Sequence, residues 1–183
     1  PAEAAKEIPK EELLGGYLSE EELIIRILEE PDGLYWREGN NNPWKLNRVG
    51  NALYEWEANT KIKVYFNQKS AGVESFTVYY PGSEDRVHTK LKAFEPSQGY
   101  YQDFVGNYES RELDMKFSIQ LKDQNQLYYL SEDQNDEVPL ELLQKDFFKF
   151  DDFKVKVSRG ANQEIEGLLV NFGRVKNLDF RKE

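Results

Sequence analysis

The sequence predicts an all-β protein: two tandem eight-stranded antiparallel up-and-down barrels that arise from an internal duplication. Three observations carry this. Leu113, Met115, Phe117, Ile119 and Leu121 alternate with Asp114, Lys116, Ser118 and Gln120, a period of two that marks a strand with one buried face. The chain also repeats itself: shifted by 92 residues, Leu23, Ile25 and Ile27 fall under Met115, Phe117 and Ile119. Finally, turn signals such as Asp32-Gly33, Pro81-Gly82, Gln124-Asn125 and Arg159-Gly160 cut the chain into short segments, the spacing of an all-β sandwich or barrel.

The repeat extends through each copy. PDGLYW (31–36) lies under NQLYY (125–129), ALYEW (52–56) under DFFKF (146–150), IKVYF (62–66) under FKVKV (153–157) and FTVYY (76–80) under LLVNF (168–172), in one order and with shifts between 91 and 94. Apolar alternation alone is common; this ordered series is not. In the second copy the expected strands are 106–110, 113–121, 126–131, 138–143, 147–150, 153–158, 165–172 and 174–181, and the first copy divides the same way. Eight such strands suit a barrel that closes on itself and leaves no edge. SEEELIIRILEE (19–30) has helix-forming residues after an N-cap serine, but its counterpart alternates, so an irregular turn at 19–21 followed by a strand is expected. The start, PAEAAKEIPKEE, has little to bury and reads as a linker (1–12), leaving repeats at 13–96 and 97–183. The last hairpin of the first copy, 80–94, reads as about six residues longer than its counterpart.

Composition narrows the function. Charged residues make up 32 % and apolar ones 39 % of the 183 residues, a globular profile. No apolar run is long enough for a membrane-spanning helix, and no signal-peptide core lies at the N-terminus. A net charge of −10 makes nucleic acid a poor partner. Without cysteine there is no disulfide, thiol nucleophile or thiolate site, and the single histidine, His88, cannot furnish an ordinary zinc centre.

Catalytic patterns are mostly missing. No serine has a lysine three residues on, and neither a Gly-x-Ser-x-Gly elbow nor a phosphate-binding loop occurs. A triad would need His88, which reads as a surface residue and has no counterpart in the second copy. Carboxylates are abundant enough that some pair will fall at glycosidase spacing by chance. Asp133, Asn135 and Glu137 faintly resemble a calcium loop, but the glycine at six and glutamate at twelve are absent. No metal or cofactor is expected. The aromatics, including Trp36, Trp44, Trp56, Tyr128, Tyr129, Phe147 and Phe148, suit a filled barrel interior, with a ligand cavity as the lesser alternative. Tyr17, Trp36, Trp56, Tyr108, Arg174 and Asn177 stand out as barrel-closing or ligand positions. Leu178 and Phe180 have the opposite parity to Val175, which requires a bulge near Lys176-Asn177 or a twist; with Val175 inward, Asn177 would be a buried asparagine needing partners.

YQDFVGNYESRELDMKFSIQLKDQNQLYYL, VPLELLQKDFF and GRVKNLDFRKE resemble the β-barrel domain that follows the catalytic domain in many bacterial β-lactamase-like serine hydrolases. The resemblance rests on Gly106, Tyr108, the turn Ser110-Arg111-Glu112-Leu113, and the closing run Arg174, Val175, Asn177, Leu178 and Phe180. Two such units in tandem also resemble the middle and C-terminal domains of bacterial D-aminopeptidase, which are lipocalin- or streptavidin-like barrels. This implies a non-catalytic accessory region that packs on a serine hydrolase domain in cis and shapes substrate access, in a periplasmic or secreted bacterial protein. The alternative is a free-standing lipocalin-like protein holding a small apolar ligand.

Overall fold

A computed structural model describes residues 7–70, 72–123, 125–131 and 137–183. Most of the expected linker, the turn residue Gln124, and Asp133 and Asn135 of the calcium-like loop lie outside the described residues. The chain divides into two compact units, Pro1–Leu91 and Lys92–Glu183.

The first unit is a closed antiparallel barrel of eight strands: β1 (Gly15–Ser19), β2 (Ile24–Glu30), β3 (Gly33–Glu38), β4 (Trp44–Arg48), β5 (Leu53–Trp56), β6 (Asn59–Lys69), β7 (Gly72–Tyr79) and β8 (Arg86–Lys90), each paired with the next and β8 with β1. The run 19–30 is a turn followed by β2, as expected from its alternating counterpart. Inward positions alternate along every strand, so Ile25, Ile27, Leu34, Trp36, Leu46, Tyr54, Val64, Phe66, Phe76 and Val78 form one core.

The second unit is a nine-stranded antiparallel sheet: β9 (Gly106–Ser110), β10 (Met115–Lys122), β11 (Gln126–Ser131), β12 (Glu137–Pro139), β13 (Glu141–Gln144), β14 (Phe147–Phe150), β15 (Phe153–Arg159), β16 (Ile165–Phe172) and β17 (Val175–Lys182). Its order runs from β12 through β9 and β17 to β13. The extra strand has a simple origin. β4 of the first barrel pairs with both neighbours, whereas its counterpart is divided: β12 pairs with β11 and β13 with β14. Pro139, which has no N–H to donate, ends β12. Leu140 turns inward at the break and keeps the bond to Leu127 O at 2.8 Å.

The registers bear out the duplication. Tyr17 pairs with Ile25 as Tyr108 pairs with Phe117. Val64 pairs with Val78 as Val155 pairs with Val170. Phe76 pairs with His88 as Leu168 pairs with Phe180. The last register corrects the expected hairpin length: Val78 to Arg86 spans as many residues as Val170 to Leu178. The hairpins differ because the second continues to pair, as far as Phe172 with Val175, where the first opens into a loop.

One end of each barrel is closed by the same device. A one-turn helix, α1 (Lys10–Leu13), precedes β1, and a 3-10 turn (Tyr100–Phe104) precedes β9. Leu13 and Phe104 point into the barrels and are fully buried. The Tyr17 hydroxyl donates to Leu13 O at 2.8 Å, and the Tyr108 hydroxyl to Phe104 O at 2.8 Å. Lys90 Nζ donates to Glu12 O, and Lys182 Nζ to Asp103 O at 2.6 Å. Each lysine stem crosses the start of the first strand at a glycine: a Cβ on Gly15 would stand 3.7 Å from Lys90 Cε, and one on Gly106 only 2.9 Å from Lys182 Cε. Both glycines also have positive φ, +122° and +150°. A helical turn leaves its last carbonyls without partners, and here a hydroxyl and an ammonium satisfy them. Ile8 is buried in the first core, so part of the segment expected to be linker packs as core.

Candidate functional site

The two barrels differ most at their other, open ends. In the first, this end is formed by the turns after β1, β3, β5 and β7. Residues opposite one another in a ladder share a face. Trp36 faces Trp44, Leu46 faces Trp56, Ile25 faces Glu38 and Val78 faces Arg86, so Glu38, Trp44, Trp56 and Arg86 share the inward face with the buried core.

The rings form a continuous stack from the rim inward. Trp44, 45 % exposed, lies nearly parallel to Trp56 at 5.6 Å. Trp56 meets Trp36 edge-on at 5.5 Å and Tyr80 at 6.4 Å. Trp36, 2 % exposed, contacts Phe76 at 5.2 Å and His88 at 5.5 Å. His88 stacks on Phe76 at 4.7 Å. The Arg86 guanidinium lies 5.5 Å above the Tyr80 ring and 3.7 Å from the Glu21 carboxylate. Beside this stack an open cleft of about 680 Å³ is lined by Ser19, Glu20, Glu21, Glu84, Asp85 and Arg86, with Gly82, Ser83 and Val87.

His88 corrects the sequence reading. It is 2 % exposed, not a surface residue, because its register places it inward opposite Phe76. Burial pushes its pKa down to about 4, against a hydrogen bond to the Arg86 backbone that raises it, so the ring is neutral at pH 7. Its Nδ1 has no hydrogen-bond partner among the described residues, nor has the buried Nε1 of Trp56. Burial raises the Tyr80 pKa; Arg86 opposes this and Glu38 adds to it, which places both charges near that hydroxyl.

The second barrel repeats the positions with different chemistry. Tyr129, Phe150, Phe172 and Phe180 replace Trp36, Trp56, Tyr80 and His88; Phe117 meets Tyr129 at a tilt at 4.9 Å, and Tyr129, Phe150, Phe153 and Phe172 stack successively at 4.5–4.8 Å. Met115, Phe172 and Val175 are exposed at this rim. Met115 and Leu113 were expected to begin a buried strand, but they lie at or beyond the rim and are exposed.

The residues singled out from sequence separate into three places. Trp36 and Trp56 belong to the aromatic stack. Tyr17 and Tyr108 lie deep in their barrels, bonded to the closing turns, and burial raises both hydroxyl pKa values. Arg174 and Asn177 are exposed near the β16–β17 hairpin. Asn177 is therefore not the buried asparagine expected. A bulge between Val175 and Leu178 turns it outward with φ +57°. Its N–H donates to Oδ1 of the buried Asn171 at 2.5 Å. Alternation along the sequence does not bring Glu38, Tyr80, Arg86 and His88 together as one site, although a histidine standing where its copy has Phe180 is a visible signal.

Among the described residues no helix is long and apolar enough to cross a membrane. A search against known protein families finds no matching family model, and a search of curated proteins finds no match.

Proposed function

We propose that this chain is the non-catalytic accessory region of a β-lactamase-like serine hydrolase or peptidase, two barrels that pack beside the catalytic domain and shape access to it. The observation that carries this reading is the contrast between the two ends of the repeat. The closing device is kept in both copies, as a scaffold requires. The open ends have diverged, and that of the second barrel exposes Met115, Phe172 and Val175. Large apolar groups at a rim, held on a rigid frame, suit a surface that meets another body. The resemblance of the second repeat, from Gly106 and Tyr108 to Asn177 and Phe180, supports a serine hydrolase as that body. An apolar ligand inside a barrel is less favoured, because Tyr17, Phe66, Phe76, Tyr108 and Phe148 already occupy the interiors.

The test has two arms. The chain is assayed alone with a chromogenic β-lactam and a D-amino-acid anilide, and the reading frame upstream of Pro1 is sequenced. No turnover and an upstream domain bearing Ser-x-x-Lys are expected. Turnover by the chain itself, or an upstream frame without such a domain, overturns the reading.

A further inference from the structure

We propose that the open end of the first barrel binds an aliphatic polyamine, whose ammonium groups sit among the carboxylates of the cleft and whose methylenes pack on the aromatic stack. This does not depend on the accessory role proposed above. Charge complementarity selects the ligand. The turns at this end, residues 20–23, 39–43, 57–58 and 80–85, contain Glu20, Glu21, Glu22, Glu57, Glu84 and Asp85 and no lysine or arginine. The cleft between two of them is lined by four carboxylates and one cation, Arg86, which is already near Glu21 and Tyr80. An anion would meet net repulsion there, and a neutral apolar molecule would strip water from those carboxylates without replacing it.

The aromatic stack adds what a purely acidic patch lacks. Trp44 offers an exposed ring on the inward face of the rim, and Trp56 and Tyr80 continue from it towards the cleft wall at Arg86. An alkylammonium over an indole is attracted by the ring quadrupole and covers apolar surface with its carbon chain. An independent observation lies just below. His88 is paired in register with Ser19 of the cleft wall, faces inward, and has a buried Nδ1 without a partner among the described residues. The ring is neutral, and a neutral imidazole keeps one nitrogen as an acceptor, the complement of an ammonium N–H. The second barrel places Phe180 at this position and Phe150 at that of Trp56, so the proposal assigns the site to the first barrel alone.

The experiment is a tryptophan-fluorescence and calorimetric titration of the whole chain with spermidine. Parallel titrations use tetramethylammonium, magnesium and a tetralysine peptide. Saturable quenching by spermidine is expected, at least about tenfold tighter than tetramethylammonium or magnesium. Trp44→Ala should remove most of the quench and weaken calorimetric binding about fivefold or more. Glu84→Gln with Asp85→Asn should weaken it further and reduce its salt dependence. These positions are exposed, and unchanged circular dichroism checks that the variants fold. The proposal is overturned by no saturable signal up to millimolar spermidine, by equal binding of magnesium, by unchanged affinity in Trp44→Ala, or by tetralysine binding more tightly than spermidine. The last outcome would mark the site as a peptide surface.

Discussion

Asn177 shows how one residue can matter for a reason its sequence pattern does not suggest. It is exposed, and its φ of +57° is a conformation that asparagine and glycine tolerate and alanine does not. Asn177→Ala should therefore lower stability by about 1 kcal/mol, while Asn177→Gly should melt like the parent or slightly above it. If both variants lost stability equally, the side chain and not the backbone would be responsible. His88 makes a prediction about pH. Its folded pKa of about 4 lies below the ordinary 6.5, so between these values the unfolded chain binds the extra proton. Stability rises with pH through that window: the contribution is complete above about pH 6.5 and is lost as pH falls towards 4. The full loss is on the order of 3 kcal/mol. His88→Phe, the residue its copy already carries, should flatten the urea-unfolding profile between pH 6.5 and 4. Asp146, held below its ordinary 3.8 chiefly by its hydrogen bond with Arg159, titrates at lower pH and does not confuse the comparison. An unchanged slope in His88→Phe would show that the buried imidazole is not its source.

At the scale of elements, the closing turn and the first strand act as one piece. Tyr17→Phe and Tyr108→Phe each leave a buried carbonyl without its hydroxyl donor, and each should cost about 1–3 kcal/mol in denaturant unfolding. Gly106→Ala should be worse than Gly15→Ala, because the lysine stem stands 2.9 Å from the new Cβ in one case and 3.7 Å in the other. Equal losses would argue that positive φ alone sets the cost. Most strands here were legible, because a half-buried strand writes its period of two into the chain; Gly106–Ser110, Gln126–Ser131, Phe147–Phe150 and Ile165–Phe172 coincide with their expected bounds. The alternation misled at Leu113 and Met115 because it continues past the point where the barrel ends. It also could not divide the strand at Pro139. The candidate site was legible only in part, for a related reason. Parity assigns Trp36, Glu38, Trp56 and His88 to a face, but their height along the barrel comes from the register between strands. That register is set by pairings such as Phe76 with His88, which join residues distant in sequence.

For the whole molecule, the duplication implies two structures that are each complete. Every component of the first closing device, from Glu12 and Leu13 to Tyr17 and Lys90, lies within Pro1–Leu91. Every component of the second, from Asp103 and Phe104 to Tyr108 and Lys182, lies within Lys92–Glu183. Each unit also has its own core. Units of this size bury enough surface to fold alone, whereas much shorter chains generally need disulfides or metals. Fragments 7–91 and 92–183 should therefore each give a β-type circular dichroism spectrum and a cooperative melt. A fragment 13–91, cut at the boundary that composition alone suggests, tests the closing turn directly. It lacks Ile8, most of α1 and the carbonyl of Glu12, which exposes core surface and strands the half-buried ammonium of Lys90. It should melt well below fragment 7–91 or fail to fold. If 13–91 matched 7–91, the turn would be an ornament on a self-sufficient barrel, and Tyr17 and Lys90 would hold nothing that the eight strands need.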